Sequence, residues 1–569
     1  MTQASRKPSS SKPSFNRRAF MRDVSVVGLA APAASSVVRA ASVINPDSPF
    51  THGVASGDPL ADRVILWTRV NPALGASVTV NWDVASDAGF TQLLRRGRAQ
   101  ALADRDHTVK VDVLGLPAAS TLYYRFVVNG QVSRTGRTRT LANGGQAPVK
   151  LAVFSCSNYP AGYFNVYAEA AKMADLDAAV HLGDYIYEYP RGGYASGEAV
   201  QMGRESLPVN ELLSLADYRQ RYAQYRSDAD LQELHAVLPF ICVWDDHEFA
   251  NDTWKDGAEN HTPETEGDFA LRRAAAMKAY HEWMPIRTDA ARPEVIFRSF
   301  KFGNVLDLHM LDTRVLARDK QLSYANYMGA NGFNAQQFAT DIGNPTRQLL
   351  GSQQSQWLQG RLAASSATWQ VLGQQVLMAR MNIPAPLVLG QISFSDYVAL
   401  LALAQSNPAA LTPTQKAILA QPSIPYNLDA WDGYAVARET VLGTARALNK
   451  NLVVLAGDTH NAWASDLQDY QGNQVGVEFA TPGVSSPGFE EYFPNENPLA
   501  VAGGLEQIIG PLKYANTHQR GFMVVTANAQ QCRCDWHYVS TVKSKTYETS
   551  IGRSLAVLPG AGARRLTEV

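Results

Sequence analysis

Apolar and polar positions alternate in short runs from about residue 45 to residue 143. Residues 64–70 carry Val64, Ile65, Leu66 and Trp67, and residues 78–84 alternate cleanly through Val78, Val80, Trp82 and Val84. Residues 110–113 and 123–128 continue the period of two, and Gly57-Asp58-Pro59, Asn71-Pro72 and Asn129-Gly130 punctuate the runs. Side chains two apart on a strand share one face, so the pattern predicts a small all-β sandwich of fibronectin or immunoglobulin type with a structural role. The segment 142–148, with Gly144, Gly145 and Pro148, reads as a linker.

Beyond it the pattern changes to continuous apolar runs of four to eight residues separated by helical spacings. Residues 150–156 form one apolar run, 178–182 a second, and Phe164, Tyr167, Ala168 and Ala171 lie between them at helical spacing. This is a β-α-β unit, and it places two parallel strands side by side. Further strands are expected at 239–244, 305–311, 369–376 and 452–456, a long amphipathic helix at 430–448, and a β-rich tail over 474–550. Residues 149–550 thus read as one larger α/β domain, with 386–428 as an insertion positioned to cover a cleft. Tyr218, Tyr222 and Tyr225 fall at helical spacing and read as packing, as do Trp431 and Tyr434.

The 569 residues are 46% hydrophobic and 18% charged, ordinary globular composition, and 51 basic against 52 acidic residues give a net charge of −1. That balance gives no bulk electrostatic case for nucleic acid or an anionic membrane surface. Four cysteines are too few to act as a disulfide framework for a chain of this length. The first forty residues read as an address. Arg17-Arg18 followed by Phe20 precedes a moderately apolar stretch from Val24 to Val38, and Val38-Arg39-Ala40 forms a small-residue cleavage site. The paired arginines resemble a twin-arginine export signal. The mature chain would then begin near Ala41, without a stable membrane anchor, in the periplasm or outside the cell, after passing the twin-arginine machinery.

The chemistry gathers where the strands stop. One run ends in Ser155-Cys156, the next in Gly183-Asp184 with Tyr187 three residues on, and the next in Asp245-Asp246-His247, with Asn251 and Asp252 shortly after. Later runs end in Asp312 and in Gly457-Asp458-Thr459-His460. Ligands bind outside the carboxyl ends of strands in open α/β sheets. Several such ends in one parallel-type sheet predict a polynuclear metal site. Carboxylates and an amide oxygen suit hard cations, whereas a thiolate and a phenolate suit ferric iron, so the donor mix predicts unlike metals.

Gly183-Asp184-x-x-Tyr187 resembles the Gly-Asp-x-x-Tyr motif of the calcineurin-like metallophosphatase superfamily. Seven further stretches, at 51–59, 66–69, 155–156, 244–248, 311–314, 429–434 and 456–460, resemble in order the PhoD-type alkaline phosphatases and phosphodiesterases. The resemblance implies a four-layer metallophosphatase sandwich, its mixed sheets flanked by helices, preceded by the small β-sandwich. It also implies hydrolysis of phosphate mono- and diesters by in-line attack of a metal-bound hydroxide at phosphorus. Carried over residue by residue, it implies Fe3+ held by Cys156 and Tyr187, with Asp184 as the bridging carboxylate and Ca2+, as two ions, alongside. Asp246 or Asn251 would serve the second metal, and Asp458 and His460 match the last ligand pair. His247 would act as acid or phosphate-oxygen donor, and Arg314 as a phosphate contact. Asp245 and His181 read as supporting residues. A phospholipase D-type phosphodiesterase with the same metal site, and a non-enzymatic exported metal protein, are the alternative readings. The oligomeric state is left open.

Overall fold

A computed structural model describes residues 48–330 and 332–569; the expected export signal lies outside the described residues. Two mixed sheets organise the chain. In the first, of ten strands, Val149–Phe154, Ala178–His181 and Phe240–Cys242 run parallel at the centre. Arg520–Ala527 pairs antiparallel with Val149–Phe154 and leads out to the strands of the C-terminal tail. In the second, of seven strands, Leu306–Met310, Trp369–Gly373, Leu452–Ala456 and Gln474–Ala480 are successive parallel neighbours.

Strand alternation explains how the second sheet is covered on both faces. Val453 and Leu455 point into a core shared with the first sheet, together with Leu151, Val153 and Val180. Their neighbours Leu452, Val454 and Ala456 point the other way, onto Leu358 and Leu362 of helix Gly351–Ala364 and Val441 and Leu442 of helix Ala435–Ala447. Burial on both faces is why these strands read as unbroken apolar runs. Across the first sheet, Tyr218, Tyr222 and Tyr225 of helix Leu215–Arg226 join the same shared core.

The expectation of a single parallel-type sheet is corrected. Cys156, Asp184 and Asp245 follow strands of the ten-stranded sheet, whereas Asp312 and Asp458 follow strands of the seven-stranded one. Doubly buried strands of either sheet have the same composition, so apolar runs alone do not assign strands to sheets. The N-terminal β-rich part also shares a sheet with the larger domain. Val54–Gly57 pairs parallel with Phe240–Cys242, so Val54–Gly57, Arg63–Arg69 and Thr108–Leu114 complete the ten-stranded sheet. Its other five strands form a separate sheet, and Val64, Leu66, Val80 and Phe126 pack between the two. Asp58, fully buried, fastens the junction: its carboxylate accepts from the Arg287 backbone amide at 2.7 Å and from Arg298 Nη2 at 2.7 Å.

Candidate metal centre

The carboxyl ends of the central strands in both sheets meet at one buried rim. A bridge between Ser155 and Gly483 and the bond from Val484 N to Ser155 O (3.0 Å) tie the two sheets there. Two glycines permit the approach. A Cβ on Gly183 would lie 2.3 Å from Asp245 Cβ, at a φ of +108°, and one on Gly457 would lie 2.8 Å from Ser155 Cβ. The donor side chains beyond these strand ends are turned inward by unusual backbone. Cys156, Asp184, Asp458 and His460 all have left-handed φ, between 55° and 62°. Non-glycine residues held in that region are strained, and they concentrate at functional sites.

Three groups of donors result, and they share members. Cys156, Asp184 and His460 form one, Asp184, Asp246 and His247 a second, and Asp245, Asp246 and Asp458 a third; within each, the donor atoms lie within 4.8 Å of one another. Asp184 therefore links the first two and Asp246 the last two. Tyr187 stands at the first group, its hydroxyl 3.0 Å from Asp184 Oδ2 and 3.2 Å from His460 Nε2. His460 Nδ1 lies 2.8 Å from the Pro487 carbonyl, an acceptor only, so Nδ1 carries the proton and Nε2 presents its lone pair to the first group.

Asp184 Oδ1, Asp245 Oδ2 and Asp246 Oδ1 are buried without a hydrogen-bond partner. A buried carboxylate oxygen without a hydrogen bond is costly, and although Arg314 Nη2 stands 3.6 Å from Asp246 Oδ1, a cation is the natural partner for the three of them on one rim. The charges agree. Burial, then the Asp184 charge, pushes the Cys156 thiol far up, and burial together with neighbouring carboxylates raises Asp184 well above the carboxylate range. Burial and the Asp184 charge raise the Tyr187 phenol likewise. A multivalent cation reverses each of these effects, because it favours the thiolate, phenolate and carboxylate forms. The donor set fits a metal centre.

Arg314 is elsewhere than the sequence suggests. It is fully buried and does not line the cavity beside the rim. Its guanidinium holds Asp245, Asp429 (2.6 Å) and Asp458 (3.0 Å). Burial opposes its charge, but these carboxylates outweigh burial and keep it protonated. Nor does its side chain pair with Asp312, whose carboxylate instead accepts from the backbone amides of Arg314, Val315 and Leu316. Asn251 lies on the cavity wall, with its amide bonded to Glu259 (3.0 Å) and Tyr189 (3.2 Å). His181 bonds to the Tyr167 hydroxyl within the core.

Three supporting carboxylates carry more of the site than the sequence indicates. Glu188 Oε2 lies 2.7 Å from His247 Nδ1, and its Oε1 accepts from Asn251 N and Asn260 Nδ2. Burial alone would raise Glu188, but His247, joined by Arg272 and Asn260, outweighs it and holds the carboxyl at about 2. Glu248 accepts the backbone amides of Asp184 (3.0 Å), Tyr185 (2.5 Å) and Asp245 (2.7 Å), stapling two donor loops together. Asp429 bonds Arg314 and Arg318. The acid beside His247 in sequence is thus a staple, while the acid that orients the ring comes from a different loop. No local spacing announces that exchange.

Comparison with known proteins agrees with this geometry. The family model of the PhoD-like phosphatase matches residues 151–536, and that of the PhoD-like phosphatase N-terminal domain matches residues 35–142. Alkaline phosphatase D of Bacillus subtilis (strain 168) is 35% identical over 517 residues, covering 87% of this chain and 78% of that protein. A solved structure described as "Structure of PhoD" superposes with a TM-score of 0.75 at 33% identity, covering 92% of this chain and 93% of that one. The chain is a phosphoric ester hydrolase of mixed α/β fold with an N-terminal β-rich domain. It belongs to the PhoD-like phosphatase family.

Proposed function

We propose that the chain is an exported alkaline phosphatase and phosphodiesterase that works with one ferric and two calcium ions on a four-layer metallophosphatase sandwich. The observation that carries the metal reading is the set of three unbonded, buried carboxylate oxygens on Asp184, Asp245 and Asp246. Cys156, Tyr187, Asp184 and His460 would hold iron, since thiolate and phenolate suit it. Asp245, Asp246 and Asp458 offer oxygen alone, which suits calcium. Cations held there supply charge neutralisation on the phosphoryl oxygens and acidify a nearby water.

The chain's own residues do the rest. His247 is aimed by Glu188 through Nδ1, so its Nε2 is left to hold a proton for the departing oxygen or to donate to a phosphoryl oxygen. Arg314 fixes Asp245 and Asp458 at one spacing, a positioning role in place of a phosphate contact. Burial of the rim keeps bulk water away and strengthens each charge interaction. Residues 1–40 would direct folded protein through twin-arginine export to the periplasm or beyond. The test is metal analysis and a visible spectrum on protein made under native export, with p-nitrophenyl phosphate and its bis ester as substrates. Iron with calcium, a charge-transfer colour and loss of turnover on chelation are expected. A colourless, iron-free and fully active enzyme would remove Cys156 and Tyr187 from the ligand set.

A further inference from the structure

Residues 429–434 lie where the inserted stretch rejoins the catalytic domain. The insertion leaves and returns through a two-stranded ribbon, Asn382–Pro384 paired antiparallel with Ser423–Pro425, and Asp429 follows four residues later. The chain is pinned just beyond that point. Trp431 Nε1 donates to Gln374 Oε1 at 3.0 Å, Asp432 Oδ2 accepts from the Met381 amide at 2.8 Å, and the Tyr434 hydroxyl donates to the Asp319 carbonyl at 2.7 Å. A Cβ on Gly433 would lie 2.0 Å from the Leu428 carbonyl oxygen, so glycine is needed for the chain to fold back there. These contacts deliver the buried Asp429 carboxylate to Arg314.

Both oxygens of Asp429 meet guanidinium groups. Oδ2 accepts from Arg314 Nη1 at 2.6 Å, and Oδ1 accepts from Nη2 of Arg318, which also donates to the Asp429 carbonyl at 2.6 Å. Arg318 is fully buried, with its guanidinium 4.8 Å from the Tyr434 ring centre. The other carboxylates on Arg314 are Asp245, Asp458 at 3.0 Å and Asp246 at 3.6 Å, which are the three members of the third donor group. Asp429 belongs to none of the three donor groups. A buried ion pair is a weak source of stability, because desolvation of both ions offsets their attraction. Stability alone therefore does not call for a further acid and a further arginine behind Arg314.

The charge balance offers a reason. Arg314 by itself offsets one of the three donor charges. Asp429 and Arg318 together add no net charge, but they are unequally placed: Asp429 touches Arg314 directly, and Arg318 stands one contact further out. Asp429 thus draws the guanidinium's charge away from the donors, and in a buried site each such charge acts more strongly than in water.

We propose that Asp429 and Arg318 are positioning residues that set the cation affinity of the Asp245–Asp246–Asp458 group through Arg314. Asp429 raises that affinity by sharing the guanidinium, and Arg318 limits the gain. This deepens the metal reading above and rests on it. A change in a partner one contact behind a metal ligand typically alters metal affinity roughly 10- to 100-fold. The Cys156–Asp184–His460 group shares no member with the Asp245–Asp246–Asp458 group, so its cation should be unaffected.

The test uses the full-length protein as purified, equilibrated in calcium–EGTA buffers, with bound calcium and iron counted by mass spectrometry across the free-calcium series. Asp429→Asn keeps the volume and an accepting oxygen but removes the charge. It should raise the free calcium needed for half occupancy roughly 10- to 100-fold while iron content stays at the wild-type level. Arg318→Gln removes a positive charge and leaves Asp429 on Arg314, so it should shift calcium binding the opposite way, to lower free calcium. A plain structural brace predicts weaker binding in both variants. The proposal is overturned by wild-type calcium affinity in Asp429→Asn, by iron lost in step with calcium, or by unchanged or weaker binding in Arg318→Gln. That last arm decides the matter by itself if Asp429→Asn does not fold. Wild-type protein that holds no calcium at any level would instead overturn the metal reading.

Discussion

Glu188 offers the most direct test of how the site orders its acid. Its carboxylate is fully buried and accepts three hydrogen bonds, from His247 Nδ1 at 2.7 Å, Asn251 N at 2.9 Å and Asn260 Nδ2 at 2.8 Å. Glu188→Gln keeps the volume and the oxygen that serves Asn251 and Asn260. It replaces the other oxygen with an NH2 that cannot accept from Nδ1, so the imidazole loses its charge-assisted partner and its fixed tautomer. A hydrogen bond to an ionised group contributes about 1.5–3 kcal/mol. At about 1.36 kcal/mol per decade, full expression in the transition state lowers kcat roughly 10- to 150-fold. Glu188 is in none of the three donor groups, so bound metal should be unchanged. The assay is kcat and KM on bis-p-nitrophenyl phosphate with metal content by mass spectrometry, alongside Glu188→Asp, whose shorter carboxylate should restore part of kcat. Unchanged kcat would refute the orienting role, and loss of metal in proportion to loss of kcat would show that Glu188 maintains the centre instead.

Asp184 belongs to two donor groups, so Asp184→Asn should abolish turnover and lower total bound metal, both read on one purified sample; retention of all metal would separate Asp184 from the bridging position. Asp58→Ala leaves the buried Arg298 guanidinium without its carboxylate partner and should lower stability by about 3–5 kcal/mol in urea unfolding, whereas a loss below about 1 kcal/mol would mean the junction does not depend on the pair. Burial, with help from nearby cations, lowers His52 to about 3 and His281 to about 4, and burial lowers His309 to about 4. These rings are neutral in the fold but bind protons in the unfolded chain below about pH 6.5, so stability should fall as pH drops from about 6.5 toward 4. The limiting slope is about 1.4 kcal/mol per pH unit for each ring, and His309→Gln should remove one such increment.

Much of the catalytic domain is legible because its strands announce themselves. Val149–Phe154, Ala178–His181, Leu306–Met310, Trp369–Gly373 and Leu452–Ala456 all lie within or at the apolar runs read from sequence, and the β-α-β pairing of the first two is as expected. The strand-end residues converge because parallel strands deliver their carboxyl ends to one edge. What escaped the sequence is pairing at a distance. Arg314 could be seen to lie near Asp312, but not that the chain turns its guanidinium onto Asp245, Asp429 and Asp458. Glu188 and Glu248 each flank a motif, and only the folded loops reveal that Glu188 serves His247 while Glu248 gathers the amides of Asp184 and Asp245.

The arrangement at the rim carries an energetic consequence that bears on the whole molecule. Four donors, Cys156, Asp184, Asp458 and His460, sit in left-handed backbone, each at a cost of order 1–3 kcal/mol. Three buried aspartates, at 245, 246 and 458, share one guanidinium, that of Arg314, and one oxygen each of Asp184, Asp245 and Asp246 has no hydrogen bond. The glycines at 183 and 457 let backbones touch there and add no side-chain packing of their own. The compensating term has to come from what the donors bind, and metal binding that compensates a strained site becomes folding free energy. On that reasoning a metal-loaded fold would be the more stable one. The proposed twin-arginine route would suit such a fold: a chain exported already folded would leave with any cations enclosed between the two sheets, whereas a chain threaded unfolded would have to assemble the strained rim afterwards from whatever ions it met.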